Sequence, residues 1–107
     1  MEKYNVIIDA TAQDDLEEIF MYIADGLLEP QIAKRTINDI LEVIRGLCYM
    51  PERFPVYISE NWCDNKVHCK NAKNFMVFYR VVKDSMTVLV FHVVHGGRDI
   101  SKVLEHK

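Results

Sequence analysis

Two apolar stripes at helical spacing lie back to back in residues 12–49, with only Gly26 to Pro30 between them. In the first, Ala12, Leu16, Ile19, Phe20, Ile23 and Leu27 recur at three- and four-residue steps, which puts them on one side of a helix running from 12 to 27. In the second, Ala33, Ile37, Ile40, Ile44 and Leu47 step by four, three, four and three, a narrow seam of the kind that lets two helices pack along their length. Thr11 is the expected N-cap of the first helix, with Asp14 as a weak capping-box partner. Gly26 marks its end, Pro30 suits the first turn of the second helix, and Pro51 stops that helix at about residue 49. So short a link makes the pair an antiparallel hairpin. A hairpin with one apolar side needs a second layer to cover it.

The rest of the chain supplies strands. Residues 4–9 alternate, with Tyr4, Val6 and Ile8 on one face. Residues 51–65 hold two prolines and Trp62 and read as a long irregular connection, the kind that is functional or packed rather than slack. A short, weakly patterned strand is expected over 66–70. Residues 74–82 put Phe75, Val77, Tyr79 and Val81 on one face and Met76, Phe78, Arg80 and Val82 on the other. Lys83-Asp84-Ser85 is a hairpin turn. Residues 86–95 are almost continuously apolar, which predicts a central strand covered on both faces. Gly96-Gly97 breaks it, and residues 98–105 read as a short terminal helix. The order βααβββ makes the class α+β: a helical hairpin on an antiparallel sheet, with a short C-terminal helix, as a single domain over residues 1–107.

With 107 residues, half of them hydrophobic, the chain can bury a core without a disulfide or metal staple. Three cysteines are an odd count, the start MEKYNVIIDA carries no apolar run of signal length, and no stretch approaches a membrane span. A cytoplasmic protein with free thiols and no membrane association is expected. The net charge of −3 conceals an asymmetry. Residues 9–29 carry seven acids and no Lys or Arg, whereas residues 66–107 carry eight bases against three acids. Such a division is either a pair of solvated faces or a basic end that attracts an anionic partner.

Several residues are candidates for chemistry. Arg98 and Asp99 follow the glycine break, where Arg98 can fork onto a carboxylate or phosphate, or pair within the fold while Asp99 caps the last helix. Arg80 sits mid-strand, facing either a partner or solvent. Lys66, Lys70 and Lys73, with Asn71 and Asn74, line the approach to the 74–82 strand and, with Arg80 and Arg98, can cradle a nucleic-acid backbone. His92 and His95 lie three apart on one strand, so they are expected on opposite faces, which opposes a shared metal. His68, Cys69 and Cys63 lack paired zinc-ligand spacing. No nucleophile elbow, phosphate-binding loop, dinucleotide fingerprint or H-E-x-x-H is present, so neither a cofactor nor a metal is expected.

Taken together, these residues resemble a family. The first helix reads Ala12-Gln13-Asp14-Asp15-Leu16-Glu17-Glu18-Ile19-Phe20-Met21-Tyr22-Ile23, similar to A-x-x-D-L-x-x-I-x-x-Y-I. The second closes in L-x-x-x-P-E-R at Leu47 to Arg53, a strand reads Asn74-Phe75-Met76-Val77-Phe78-Tyr79-Arg80-Val81, and the last ends in His95-Gly96-Gly97-Arg98-Asp99. The chain is similar, over nearly its whole length, to the RelE/ParE superfamily of type II toxin–antitoxin toxins, on the ParE-like side (plasmid stabilisation system proteins). The resemblance implies a cognate antitoxin whose C-terminal part wraps the hairpin and sheet by helix-in-groove and strand-addition contacts. It implies one of two targets. ParE-like members bind and poison DNA gyrase without being known as enzymes, whereas RelE-like members cleave mRNA on the ribosome. A RelE-like endoribonuclease would use Lys70, Lys73, Arg80, His95 and Arg98, with His95 as the proton carrier. However, Met76 stands where that family carries a strand Arg, and Leu104 where it carries a tail Tyr. His68 replaces an Arg common among ParE-like chains. The expected target- or antitoxin-binding residues are Arg80, His95, Arg98, Asp99, Lys70 and Lys73, with Leu16 and Phe20 on the first helix. The expectations are therefore a gyrase-binding toxin, an mRNA endoribonuclease, or a degenerate non-toxic member acting only in antitoxin binding or regulation.

Overall fold

The computed structural model describes residues 3–57 and 67–95. The chain runs through β1 (Asn5–Ile8), α1 (Ala10–Met21), a π-helical turn (Tyr22–Gly26), α2 (Pro30–Gly46), a 3-10 turn (Pro51–Arg53), β2 (Val56–Tyr57), β3 (Val67–Ala72), β4 (Phe75–Val82) and β5 (Thr87–His95). Two helices lie on one sheet with strand order β1-β5-β4-β3-β2. The expected α+β architecture is present. The sheet is mixed rather than wholly antiparallel, because β1 pairs in parallel with β5 while every other pair is antiparallel. Parallel neighbours need a long crossover, and the helical hairpin provides it.

The helices begin where side chains and ring geometry help them to. Asp9, not Thr11, caps α1: its carboxylate accepts from the Ala12 N–H at 2.9 Å. The strand ends at Ile8 and the helix starts at Ala10, so the first helical turn opens before Thr11 is reached. α1 then widens into the π turn, where Leu27 N–H donates to the Tyr22 carbonyl at 3.0 Å. The left-handed residue that closes it is Leu28 (φ 56°), while Gly26 has an ordinary negative φ. Pro30 occupies the first turn of α2, as expected, and α2 ends at Gly46, three residues before the expected boundary. There the Leu47, Cys48 and Tyr49 N–H groups turn to carbonyls three residues back.

The main core lies between helices and sheet. Ile40 and Ile44 of α2, Leu47, Ala12, and Val77, Tyr79, Val88 and Val90 of the sheet are buried together, with Tyr4, Val6 and Ile8 packed against them. Each buried branched aliphatic side chain contributes about 1.5–3 kcal/mol. A smaller cluster of Val67, Cys69, Phe78, Phe91 and Val94 occupies the other face. β5 is therefore covered on both faces and sits between β1 and β4, as its continuous apolar run predicts.

β5 carries a bulge. Phe78 pairs with His92 but Tyr79 pairs with Val90, so Phe91 has no opposite number. The insertion shifts the alternation. Val88 and Val90 face the helices before it, and Val93 faces them after it. His92 meets Asp15 of α1, and His95 meets Phe75 edge-on at 5.4 Å between ring centres. By register His92 lies opposite Phe78 of the outer cluster and His95 opposite Phe75 of the main core, so the two belong to opposite faces, as expected, while the His92 ring reaches Asp15 of α1.

Candidate functional site

The described residues place the candidate cations apart. Lys70 lies over the Phe54 ring, Nζ 4.7 Å from its centre, and the Arg53 guanidinium lies at the same distance over that ring. Lys73, in the turn between β3 and β4, pairs with Asp39 of α2 at 3.7 Å. Arg80 lies with its guanidinium carbon 5.2 Å over Phe91, whose side chain belongs to the cluster on the face away from the helices. Of the ribonuclease-type set, Lys70 and Lys73 are thus engaged on the helix side while Arg80 is across the sheet. Arg98, Asp99, Leu104, Cys63, Lys66 and the expected terminal helix lie outside the described residues. On α1, Leu16 packs against the main core and Phe20 is half-buried.

His95 does lie in a concave place. A groove of about 720 Å³ opens between the end of α1, the π turn, the start of α2 and the adjoining ends of β4 and β5. Its lining includes His95, Asn74, Thr36, Glu18 and Asp15 among apolar side chains. The Asp15 carboxylate is turned inward: one oxygen binds the His92 imidazole Nδ1 and accepts the Val93 N–H at 3.0 Å. β1 ends opposite Val90, and the carboxylate takes up the Val93 N–H on the stretch of β5 beyond it. Sequence reading counted Asp15 among the solvated acids. Its sign was the spacing: Asp15 stands four residues before Ile19 and one before Leu16, within the apolar stripe.

A second buried polar network fastens the segment after α2. Tyr79, wholly buried, donates its hydroxyl to the Pro51 carbonyl, and His68 stacks on the Tyr79 ring at 5.3 Å while its Nδ1 contacts the Phe54 carbonyl at 2.8 Å. Met50, left-handed at φ 46°, makes the corner that this network holds. Burial pushes the Tyr79 phenol well above its usual range, reinforced by Cys69 and opposed by Arg53. Burial likewise pushes the Cys69 thiol up to about 11. Among the described residues no group of three His, Cys, Asp or Glu side chains is placed to hold a metal, and no helix is long and apolar enough to cross a membrane.

A family model described as the ParE toxin of type II toxin–antitoxin systems (parDE) matches residues 6–100. No curated protein matches the sequence. Among solved structures, the chain is similar to one in the ParDE toxin–antitoxin system of P. aeruginosa, with a TM-score of 0.71 at 18% identity, covering 87% of this chain and 96% of that one. It is similar to a chain of the RelBE2 toxin–antitoxin complex of Mycobacterium tuberculosis, with a TM-score of 0.66 at 21% identity over 89% and 93% of the two chains. A chain of the archaeal RelE–RelB complex of Pyrococcus horikoshii gives 0.61 at 20% identity over 90% and 98%. At these identities the likenesses concern the fold.

Proposed function

Since the chain belongs to the ParE toxin family of type II toxin–antitoxin systems, we propose that it arrests growth by binding a protein target, DNA gyrase, rather than by cutting RNA, and that a cognate antitoxin holds it inactive. The observation that carries this reading is the dispersal of the cations. Cleaving a phosphodiester requires positive groups aimed at one developing charge. Here Lys70 is spent on Phe54, Lys73 on Asp39, and Arg80 lies on the opposite face over Phe91. Met76, neutral, stands on β4 where the ribonuclease relatives carry a strand Arg. Arg53 and Lys70 about Phe54 instead make a cationic, aromatic rim suited to an acidic protein surface. The antitoxin part of the reading draws on the solved neighbours, which come from toxin–antitoxin complexes.

The test is controlled expression in a bacterial host, alone and with the adjoining gene. The proposal expects growth arrest, induction of the DNA-damage response and loss of supercoiling by purified gyrase, all relieved by the antitoxin. Arrest with halted translation and cleaved mRNA refutes the target assignment. No arrest at any expression level refutes toxicity itself and leaves an antitoxin-binding role.

A further inference from the structure

A second cleft, of about 460 Å³, opens at the other end of β4, between the 3-10 turn and the turn that leads into β5. Val81 and Val82 give it an apolar side, and Glu52, His68, Lys83 and Asp84 supply its polar groups. His68 is only 5% exposed, yet half of its ring chemistry is unused. A carbonyl only accepts, so the Nδ1 beside the Phe54 carbonyl carries the proton, and in the neutral ring Nε2 keeps a lone pair. Among the described residues no donor meets that nitrogen, and no partner meets the Asp84 carboxylate. Glu52 pairs with Lys83 at 3.3 Å, through a lysine side chain that is 69% exposed. The Arg53 guanidinium lies over Phe54 and does not line the cleft. Two carboxylates and an imidazole lone pair thus face a single ammonium.

We propose that this cleft takes the side chain of an arginine carried by another polypeptide, an inference that stands apart from the choice of cellular target. A guanidinium is all donor, five N–H groups in a planar fork, and so complements a cleft whose unengaged groups are all acceptors. The carboxylates of Glu52 and Asp84 supply the opposite charge, and the buried His68 Nε2 takes a further N–H. The arginine stem lies along Val81 and Val82, the latter 45% exposed. The volume suits a ligand of side-chain size rather than a bare ion. Lys83 on Glu52 is the chain's own cation on this wall, and an exposed pair of that kind is weak enough for a guest to displace. Free arginine brings an α-carboxylate that Glu52 and Asp84 repel, so the residue that fits is one inside a chain, where that carboxylate is an amide.

The experiment titrates the full chain, followed by NMR, with arginine blocked at both ends by acetyl and amide groups, and with citrulline blocked in the same way as its uncharged isostere. The arginine probe is expected to bind at least about tenfold more tightly than the citrulline probe and to shift the Val81 and Val82 methyl signals. Unblocked arginine binds more weakly than the blocked form. Glu52→Gln and Asp84→Asn, both at exposed positions, each weaken the arginine probe at least about fivefold, and Lys83→Met, which removes the competing ammonium, tightens it. His68→Asn puts an amide nitrogen where Nδ1 stands, keeping a donor for the Phe54 carbonyl while losing the Nε2 lone pair; with its fold checked by circular dichroism, it too binds the probe less tightly. Equal binding of both probes, shifts confined to the acidic α1, or an affinity unmoved by Glu52→Gln and Asp84→Asn overturns the proposal. Tighter binding of unblocked arginine overturns the assignment to a polypeptide. Growth arrest is no part of this readout, so failure here and failure of the toxin reading are told apart.

Discussion

Replacing Asp15 by alanine removes one carboxylate oxygen that serves two donors in different layers. The His92 and Asp15 side chains are only 10% and 16% exposed, so water replaces little of what is lost. Losing a hydrogen bond to a charged acceptor costs about 1.5–3 kcal/mol, and stranding the Val93 N–H adds about 1–3 kcal/mol. With partial relaxation, Asp15→Ala is expected to cost roughly 3–4 kcal/mol in all. At about 4–8 °C per kcal/mol for a chain of this size, the melting temperature falls by roughly 12–32 °C. Asp15→Asn keeps an acceptor for Val93 and loses less than half as much. Urea unfolding of both variants, and of each combined with His92→Phe, separates the two bonds. The His92 part appears as a coupling energy, while the Val93 part persists in the His92→Phe background. A loss below about 1 kcal/mol for Asp15→Ala would refute the view that this carboxylate fastens α1 to the bulge.

Further outcomes are expected. Tyr79→Phe leaves the Pro51 carbonyl without its donor and lowers unfolding free energy by about 1–2 kcal/mol, read by urea denaturation. The Cys69 thiol titrates from 9.0 when unfolded to about 11 when folded, so its contribution is complete below pH 9 and is lost as pH rises toward 11; Cys69→Ala should flatten that alkaline decline in thermal melts. Leu28→Gly relieves the left-handed tip and should raise stability by about 0.5–1 kcal/mol after glycine's greater unfolded-chain entropy is counted. Asp9→Ala removes the α1 cap for a loss of about 1 kcal/mol, whereas Thr11→Ala should change stability far less.

The parts of the fold legible in the sequence are those fixed by periodicity. The α2 seam, the alternation of β4 and the two-sided burial of β5 follow from spacing, because burial selects side chains by face. What escaped was decided by contacts distant in sequence. A parallel partner for β1 cannot be read from four residues of alternation, since either direction buries Val6 and Ile8 equally. The bulge at Phe91 leaves no mark in an all-apolar run. Capping by Asp9 competed with an equally plausible Thr11, and only the abrupt end of β1 decided it. For the site, charge counting located Lys70, Lys73 and Arg80 but not their partners, because Phe54, Asp39 and Phe91 come from other elements.

The pairing of β1 with β5 joins Asn5 to Thr87, the first described strand to the last described one. During synthesis the strand destined to lie between β1 and β4 leaves the ribosome after every other described element. Until then β1 has no neighbour in the sheet and β4 keeps a bare edge. Closing so long a loop comes late in folding. A translation product cut short before residue 87 therefore lacks the strand that completes the sheet, together with Val93, Val94 and His95 of the groove. The groove becomes available only once β5 has been made, so a message cut short before it yields an unassembled chain rather than a partly active one.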